Sequence, residues 1–282
     1  KHMFERRLGL FPAFFDKDGI FYTYTGFGDF PLRVPDRKMN SPEDYFPGWM
    51  LLSYKKPVEV SSEGEGHAKN FATDEDIRTF WSAKTGNKGE WIIMDLESEC
   101  LLNAVQVNFA ENETRIQGRS QDIYYQYLLE YSPDKNNWTT LVDKTTNRND
   151  VPHDYIELSK PVKARFVRLT NYHVPDGTFA LAGLRIFGTG SGEAPSNVKK
   201  VKAERMKDDR CVVKLSWTKI PGATGYNIRF GSSKDKLYHT YQVFDSSSLS
   251  IQSLHSNQAY FFTVDAFNEN GIARGKKMTK VR

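Results

Sequence analysis

Trp91-Ile92-Ile93-Met94-Asp95-Leu96, followed after a short gap by Ala104-Val105-Gln106-Val107-Asn108-Phe109, reads as two short strands. Val105, Val107 and Phe109 alternate with polar residues, the period-2 pattern of a half-buried strand. Working outward, residues 125–131, 139–142, 155–158, 165–169 and 184–187 repeat short apolar runs at even spacing. No helical-period segment interrupts them. Even spacing of short strands predicts a β-sandwich or jelly roll over residues 51–189.

The pattern returns after a break. Gly188-Thr-Gly-Ser-Gly-Glu-Ala-Pro195 marks a flexible linker, placed at residues 190–194. Residues 212–217, 225–230, 240–243, 249–251 and 260–267 then predict an immunoglobulin-like sandwich over 195–282. Before the middle segment, Phe14-Phe15, Asp16-Lys17-Asp18-Gly19 and Ile20-Phe21-Tyr22-Thr23-Tyr24 spell a hairpin, because an Asp-Gly pair supplies the positive φ that the turn needs. Pro31, Pro35, Pro42 and Pro47 follow, suiting an extended connector. A lone hairpin is not stable in water, so residues 1–50 are expected to lean on the middle sandwich. The fold class is all-β.

Composition agrees. The chain has 282 residues, 39% hydrophobic and 26% charged, enough for two or three soluble domains. Aromatics reach 13%, and flat rings suit a pleated surface. Apolar runs fall far short of the ~20 residues a membrane span needs, so no membrane insertion is expected. The net charge of +4 is too small to imply a nucleic-acid partner. It is also uneven: residues 195–282 carry +9 and the first 194 carry −5, which argues for separate domains. The basic tail (Arg274, Lys276, Lys277, Lys280, Arg282) reads as a Lys-protected edge strand in preference to an anion-binding surface. Cys100 and Cys211 lie on either side of the linker, so both are expected reduced and buried. No zinc spacing, nucleophile elbow or phosphate loop is present. The opening Lys1-His2-Met3 leads straight into charged residues, so the chain reads as a piece of a longer one.

Several motifs resemble a known family in order. Thr79-Phe-Trp81-Ser, Trp91-Ile-Ile-Met-Asp95-Leu96, Ser132-Pro-Asp134-Lys-Asn-Asn-Trp138, Arg165-Phe-Val-Arg168-Leu169 and Leu184-Arg-Ile-Phe187-Gly188 resemble the discoidin, or coagulation-factor type C, domain. Pro195, Trp217, Tyr226 and the Leu254/Tyr260 pair resemble fibronectin type III, with Ser256 where that family has a proline. Phe4-Glu-Arg6-Arg7 through Gly28-Asp29-Phe-Pro is similar to the last blade of a propeller in glycoside hydrolase family 43-like proteins.

These resemblances imply the function. In bacterial polysaccharide-degrading enzymes, discoidin domains act as family 32 carbohydrate-binding modules through loops at one end. Sugar binding pairs aromatic faces with side chains that bond hydroxyls. Among residues 110–123, 147–153 and 171–178, the candidates are Arg115, Tyr124, His153, Tyr172 and His173. For each, packing on its own sandwich is the competing reading. Trp81, Trp91 and Trp138 are assigned to the core. The loop Asn70-Phe-Ala-Thr-Asp74-Glu-Asp76-Ile-Arg-Thr79 matches one that holds structural Ca²⁺ in the family, with Asn70, Asp74 and Thr79 as ligands. Gly183 stands where a Glu ligand is common, which leaves the site one charge short; Arg78 or a water is the alternative occupant. No catalytic residue is assigned, because the paired carboxylates of glycosidic cleavage belong to earlier blades. Asp29 is read as a turn residue in preference to one at a propeller mouth, and Arg6 and Arg7 as one exposed and one salt-bridged residue in preference to contacts with a sugar or a carboxylate. The expected partners are a polysaccharide or glycan and an upstream catalytic propeller of the same parent chain, with the fibronectin domain as spacer; the alternatives are a purely structural brace for the propeller or a cell-surface adhesion module. The implied location is the periplasm, the cell surface or the medium.

Overall fold

The computed structural model describes residues 11–34, 36, 37, 39, 42–116 and 123–282; Arg6, Arg7 and Pro35 lie outside the described residues. The fold is all-β, with two 3-10 turns (Pro42–Tyr45 and Lys69–Ala72) as its helical content among those residues. It divides into two units. Residues 49–192 form one; residues 193–282 together with the N-terminal segment up to Gly48 form the other.

Strands β1 (Ala13–Phe15) and β2 (Phe21–Thr23) make the expected hairpin, with Phe14 opposite Tyr22 and Phe15 opposite Phe21. Its turn is closed by Asp16, whose Oδ1 accepts the Asp18 and Ile20 amides at 2.9 and 2.8 Å, while Gly19 sits at φ +77°. A short carboxylate bonding the backbone two residues on is what favours Asp here.

The middle unit holds β3 (Met50–Leu51), β4 (Val58–Val60), β5 (Trp81–Ser82), β6 (Trp91–Phe109), β7 (Gln126–Ser132), β8 (Thr139–Asp143), β9 (His153–His173) and β10 (Ala180–Thr189). The two runs that open the sequence reading prove to be one strand, β6, bent by irregularities between Asp95 and Cys100 and between Leu102 and Ala104. Glu97, at φ +66°, marks the bend. The first half of β6 pairs with β4 and the end of β9; the second half pairs with β10 and the start of β9. The two long strands thereby serve both layers, and Ile92, Met94, Leu96, Val105, Val107 and Phe109 fill the space between. Trp81 is fully buried there. Trp91 and Trp138 are not core residues: both are half-buried. Trp91 falls on the opposite parity to Ile92 and Met94, so the pleat turns it outward. Trp138 follows a turn capped by Asp134, donates its Nε1–H to the Lys135 carbonyl at 3.1 Å, and carries the Arg168 guanidinium 4.2 Å from its ring centre. Gly188 lies in β10, where a Cβ would sit 2.0 Å from the Leu101 carbonyl oxygen.

The last unit places β11 (Val201–Arg205), β12 (Val213–Trp217) and β15 (Ser248–Ile251) in one sheet. The other contains β13 (Gly225–Gly231), β14 (His239–Phe244), β16 (Tyr260–Asn268), β17 (Gly271–Ala273) and β18 (Thr279–Val281). Trp217 and Tyr226 meet edge-on in the core at 5.3 Å, and the Tyr260 hydroxyl accepts the His255 amide at 3.2 Å. The basic tail reaches β18 at the sheet edge, while Arg274 turns back to bond buried Asp265 at 2.9 Å. Cys100 is buried as expected, but Cys211 is exposed, because it sits in the turn ahead of β12.

The N-terminal segment does not lean where it was expected to. It packs on the C-terminal sandwich: Tyr22 stacks on Tyr238 at 3.9 Å, Phe27 meets Phe267 at 5.4 Å, and Tyr24, Phe27 and Phe30 are buried. Polar contacts frame these rings. Tyr238 donates its hydroxyl to Asp16 at 2.6 Å, Lys236 bridges Asp16 and Asp18, and Lys17 meets Asp235 at 3.0 Å. The N-terminal segment is thus received by the stretch ahead of β14, through Asp235, Lys236 and Tyr238, and by Phe267 of β16.

Candidate functional site

Three loops of the middle unit, 83–90, 110–116 and 174–179, gather at one end of its strands, tied by backbone and side-chain hydrogen bonds. The Gly89 amide donates to the Asn171 carbonyl and the Asn171 amide to the Glu90 carbonyl, both at 2.8 Å. Buried Asn171 also donates its side-chain amide to the Gly86 and Asn87 carbonyls, joining loop 83–90 to the end of β9. Ser82, Asn112 and Thr178 form a closed polar triangle: the two hydroxyls lie 2.7 Å apart, and the Asn112 amide donates to each. Gly177, at φ +72°, lets loop 174–179 approach so closely that a Cβ there would fall 2.1 Å from the Asn112 carbonyl oxygen. Asp176 caps the Arg115, Gly177 and Ile116 amides, which hold its carboxyl below the usual range. A carboxylate receiving several N–H groups gains more in the charged state than in the neutral one.

This frame sorts the five candidates. Tyr124 and His173 come together, their rings stacked at 4.1 Å with 21° between planes. Arg148 completes the group, its guanidinium carbon 4.6 Å from the Tyr124 ring centre. Burial and then the Arg148 charge push the His173 imidazole below its ordinary pKa, and its Nε2 is buried without a hydrogen-bond partner. Tyr172 stands apart with Lys88, whose ammonium lies 4.2 Å from its ring centre. Tyr172 owes this to the register shift that pairs Gln126 with His173 but Tyr127 with Asn171, leaving it as the extra residue. His153 is committed to the strand, its Nδ1 3.0 Å from the Asn108 Oδ1. Arg115 is exposed, and its backbone is held by Asp176. Sequence reading missed Arg148 and Lys88. A basic residue in a polar loop carries no signal of its own until folding brings a ring beneath it.

Beneath the loops charged groups are matched. The Tyr127 hydroxyl donates to Asp154 at 2.8 Å, and Lys144 meets the same carboxylate at 3.0 Å. Burial, then that hydrogen bond and charge, push the Tyr127 hydroxyl well above its ordinary range, so it stays protonated. Glu90 accepts from the Ser61, Ser62 and Thr85 hydroxyls. Burial would raise its pKa, but these donors outweigh it and lower it. Rings flanked by cations and amides make a surface for polyhydroxylated ligands, with C–H groups on the rings and hydroxyls on the donors.

The second candidate set lies in loop 70–79. Asp74 and Thr79 are brought together, the hydroxyl donating to Asp74 Oδ2 at 2.8 Å, while Asp74 Oδ1 accepts the Asp76 amide. The Asn70 carbonyl accepts the Thr73 amide at 3.2 Å. Both oxygens of Asp76 are clasped by Arg78, and Glu75 is paired with Arg185. Ca²⁺ wants six to eight oxygens, several of them anionic. Of the loop's carboxylates only Asp74 remains without a cationic partner, and no group of three His, Cys, Asp or Glu side chains that could hold a metal occurs among the described residues. The residues present do not fit the ion.

Comparison with known proteins addresses residues 57–184, which match the F5/8 type C domain family. Among solved structures, chitosan-binding module 1 of a Paenibacillus sp. IK-5 chitosanase/glucanase is 25% identical, covering 49% of this chain and 99% of its own at a TM-score of 0.40. Module 2 of that enzyme, in complex with chitotriose, is likewise 25% identical, with 49% and 99% coverage and a TM-score of 0.41. The family 32 module of Clostridium perfringens NanJ, in complex with galactose, is 15% identical, with 49% and 98% coverage and a TM-score of 0.40. No curated protein matches the chain. The two-layer unit bearing the loop cluster thus contains the stretch, residues 57–184, that matches the F5/8 type C domain family.

Proposed function

We propose that this domain is a carbohydrate-binding module and that its loop end, centred on Tyr124, His173 and Arg148, receives the glycan. The observation that carries the reading is the stacked Tyr124–His173 pair with Arg148 beside it, on segments tied by Asn147, whose side-chain amide donates to the Tyr125 carbonyl at 2.9 Å and whose carbonyl accepts the Gln126 side-chain amide at 3.0 Å. The half-buried rings leave edges open to solvent, and the fixed loops lower the entropy lost when a sugar binds. Affinity electrophoresis against a panel of neutral and acidic polysaccharides tests it. The wild type should be retarded by at least one polymer, and Tyr124→Ala should reduce that retardation about 5- to 30-fold, for a ring contact of about 1–2 kcal/mol. No retardation across the panel, or an unchanged Tyr124→Ala variant, would sink the reading.

A bracing role for the C-terminal sandwich is favoured by a separate observation, the aromatic and ionic contacts that hold residues 11–48 on it. Its strand order, β11-β12-β15 against β14-β13-β16-β17, and its Trp217–Tyr226 core support reading it as fibronectin type III. In this proposal the whole is the non-catalytic part of a bacterial glycoside hydrolase acting at the cell surface, in the periplasm or outside the cell. The upstream catalytic propeller is its partner, and residues 1–50 are the last piece of that propeller. Among the described residues, no helix is long and apolar enough to cross a membrane. Sugar released from polymer by the purified chain would overturn the non-catalytic assignment.

A further inference from the structure

We propose that the Glu75–Arg185 ion pair takes the structural place of a metal ion in loop 70–79, so that the loop is ordered without Ca²⁺. Arg185 projects from β10 two residues after Gly183, and its guanidinium makes a two-point contact with Glu75, Nη2 to Oε2 at 2.9 Å and Nε to Oε1 at 3.1 Å. Its Nη1 donates to Gln106 Oε1 at 3.0 Å, and Gln106 is its direct neighbour across the sheet on β6. The side chains of the pair are only 11% and 15% exposed. The cation is therefore fixed on two adjacent strands and reaches the loop from the sheet.

The loop is arranged around that contact. Glu75 adopts φ +60°, a left-handed conformation that costs a side-chain-bearing residue energy unless something holds it. On either side of it, Asp74 bonds the Asp76 amide and the Thr79 hydroxyl, and Asp76 is taken by Arg78. Two of the loop's three carboxylates are thus neutralised by arginines of this chain. A divalent cation entering here would meet one remaining carboxylate and the repulsion of a poorly exposed guanidinium. An arginine fork also supplies direction that a spherical ion lacks, because its donors match a carboxylate edge.

Calorimetry of the full chain tests this, with tryptophan fluorescence as a second readout, since Trp49, Trp81, Trp91 and Trp138 all lie in the middle unit. Exchanging EDTA for millimolar CaCl₂ should move the melting midpoint of that unit by less than about 1 °C; a rise of several degrees, the signature of a ligand bound by the folded state, overturns the proposal. Glu75→Gln and Arg185→Met should each lower the midpoint by about 5–10 °C, because each strands a poorly solvated charge. The double variant should lose clearly less than the two single losses combined, as coupled partners do. Additive losses, or no loss in Glu75→Gln, overturn it. Should Arg185→Met fail to fold, Arg185→Lys replaces it: the charge stays but the fork is lost, and a midpoint equal to wild type would count against the proposal.

Discussion

Gly177 offers a sharp test of how the loop end is built. Replacing it with alanine asks a Cβ to occupy a point 2.1 Å from the Asn112 carbonyl oxygen and 3.1 Å from the Glu113 carbonyl carbon, in a backbone at φ +72°. The left-handed conformation alone costs an L-residue roughly 1–2 kcal/mol. The overlap is with backbone, so it cannot be relieved by a side-chain rotation; loops 110–116 and 174–179 must part. Parting them loosens the Thr178 amide bond to the Asn112 carbonyl and the two Asn112 side-chain bonds to Ser82 and Thr178. At about 0.5–1.5 kcal/mol each, with some retained through water, the total comes to about 2–5 kcal/mol. For a unit of this size, that lowers its melting midpoint by about 6–15 °C. Gly66→Ala is the control, because Gly66 lies at φ +76° with nothing within 4 Å of its Cβ position, and it should show the backbone cost alone, about 3–5 °C. Calorimetry reads both, and affinity electrophoresis should find Gly177→Ala weakened in any glycan retardation that the wild type shows. If Gly177→Ala melts no lower than Gly66→Ala, the close approach of the two loops does not hold the site together, and the reasoning fails.

Other outcomes follow from charge. The His173 pKa is lowered in the folded protein, by burial first and by Arg148 second, so the unfolded chain binds the proton more readily. Stability from this group is present above the ordinary histidine pKa and is lost as pH falls from about 6.5 through the folded value. Arg148→Ala should raise the His173 pKa, read by NMR titration of its ring protons; no change would mean that Arg148 does not sit by the Tyr124–His173 pair. Asp16 is held far below the usual carboxylate range, by the Tyr238 hydroxyl first and then by the Ile20 amide and Lys236. Asp235 is lowered to about 2 by Ser233 and Lys17. Both depressed carboxylates attach the hairpin above the unfolded carboxylate pKa and release it as pH falls toward their folded values. Limited proteolysis of residues 11–48 with an acid protease should therefore accelerate at pH 2–3 relative to pH 5. Tyr238→Phe, which removes the hydroxyl and keeps the ring, should bring that acceleration to higher pH; equal cleavage of the two proteins across the range would refute the contact.

Much of the strand pattern was legible because each signal is local. Alternation at Val105, Val107 and Phe109 marks an inward face whatever lies opposite, and Asp16 with Gly19 forms a turn from its own atoms. Trp91 was misplaced because a family motif suggested burial, whereas the parity set by Ile92 and Met94 turns it out. Cys211 was misplaced because its type favours interiors, while its position in a turn decides otherwise. The candidate site was half legible. Tyr124 and His173 could be named as loop aromatics, but their stacking depends on strand register, and the bulge that detaches Tyr172 leaves no trace in composition.

The sequence by itself determined that the chain is all-β, where strands such as β7, β8, β12, β13 and β16 run, and that the middle segment carries the motif order of an F5/8 type C domain. Those properties rest on interactions between neighbours in the chain, or on the two-residue pleat, and so can be read along it. Only the tertiary structure decided that Arg148 lies over Tyr124, that Arg185 reaches Glu75, and that the N-terminal hairpin is received by Tyr238 and Phe267. These partners are tens to hundreds of residues apart in sequence. Which surface receives which side chain depends on shape and charge complementarity that exists only once the sheets have closed.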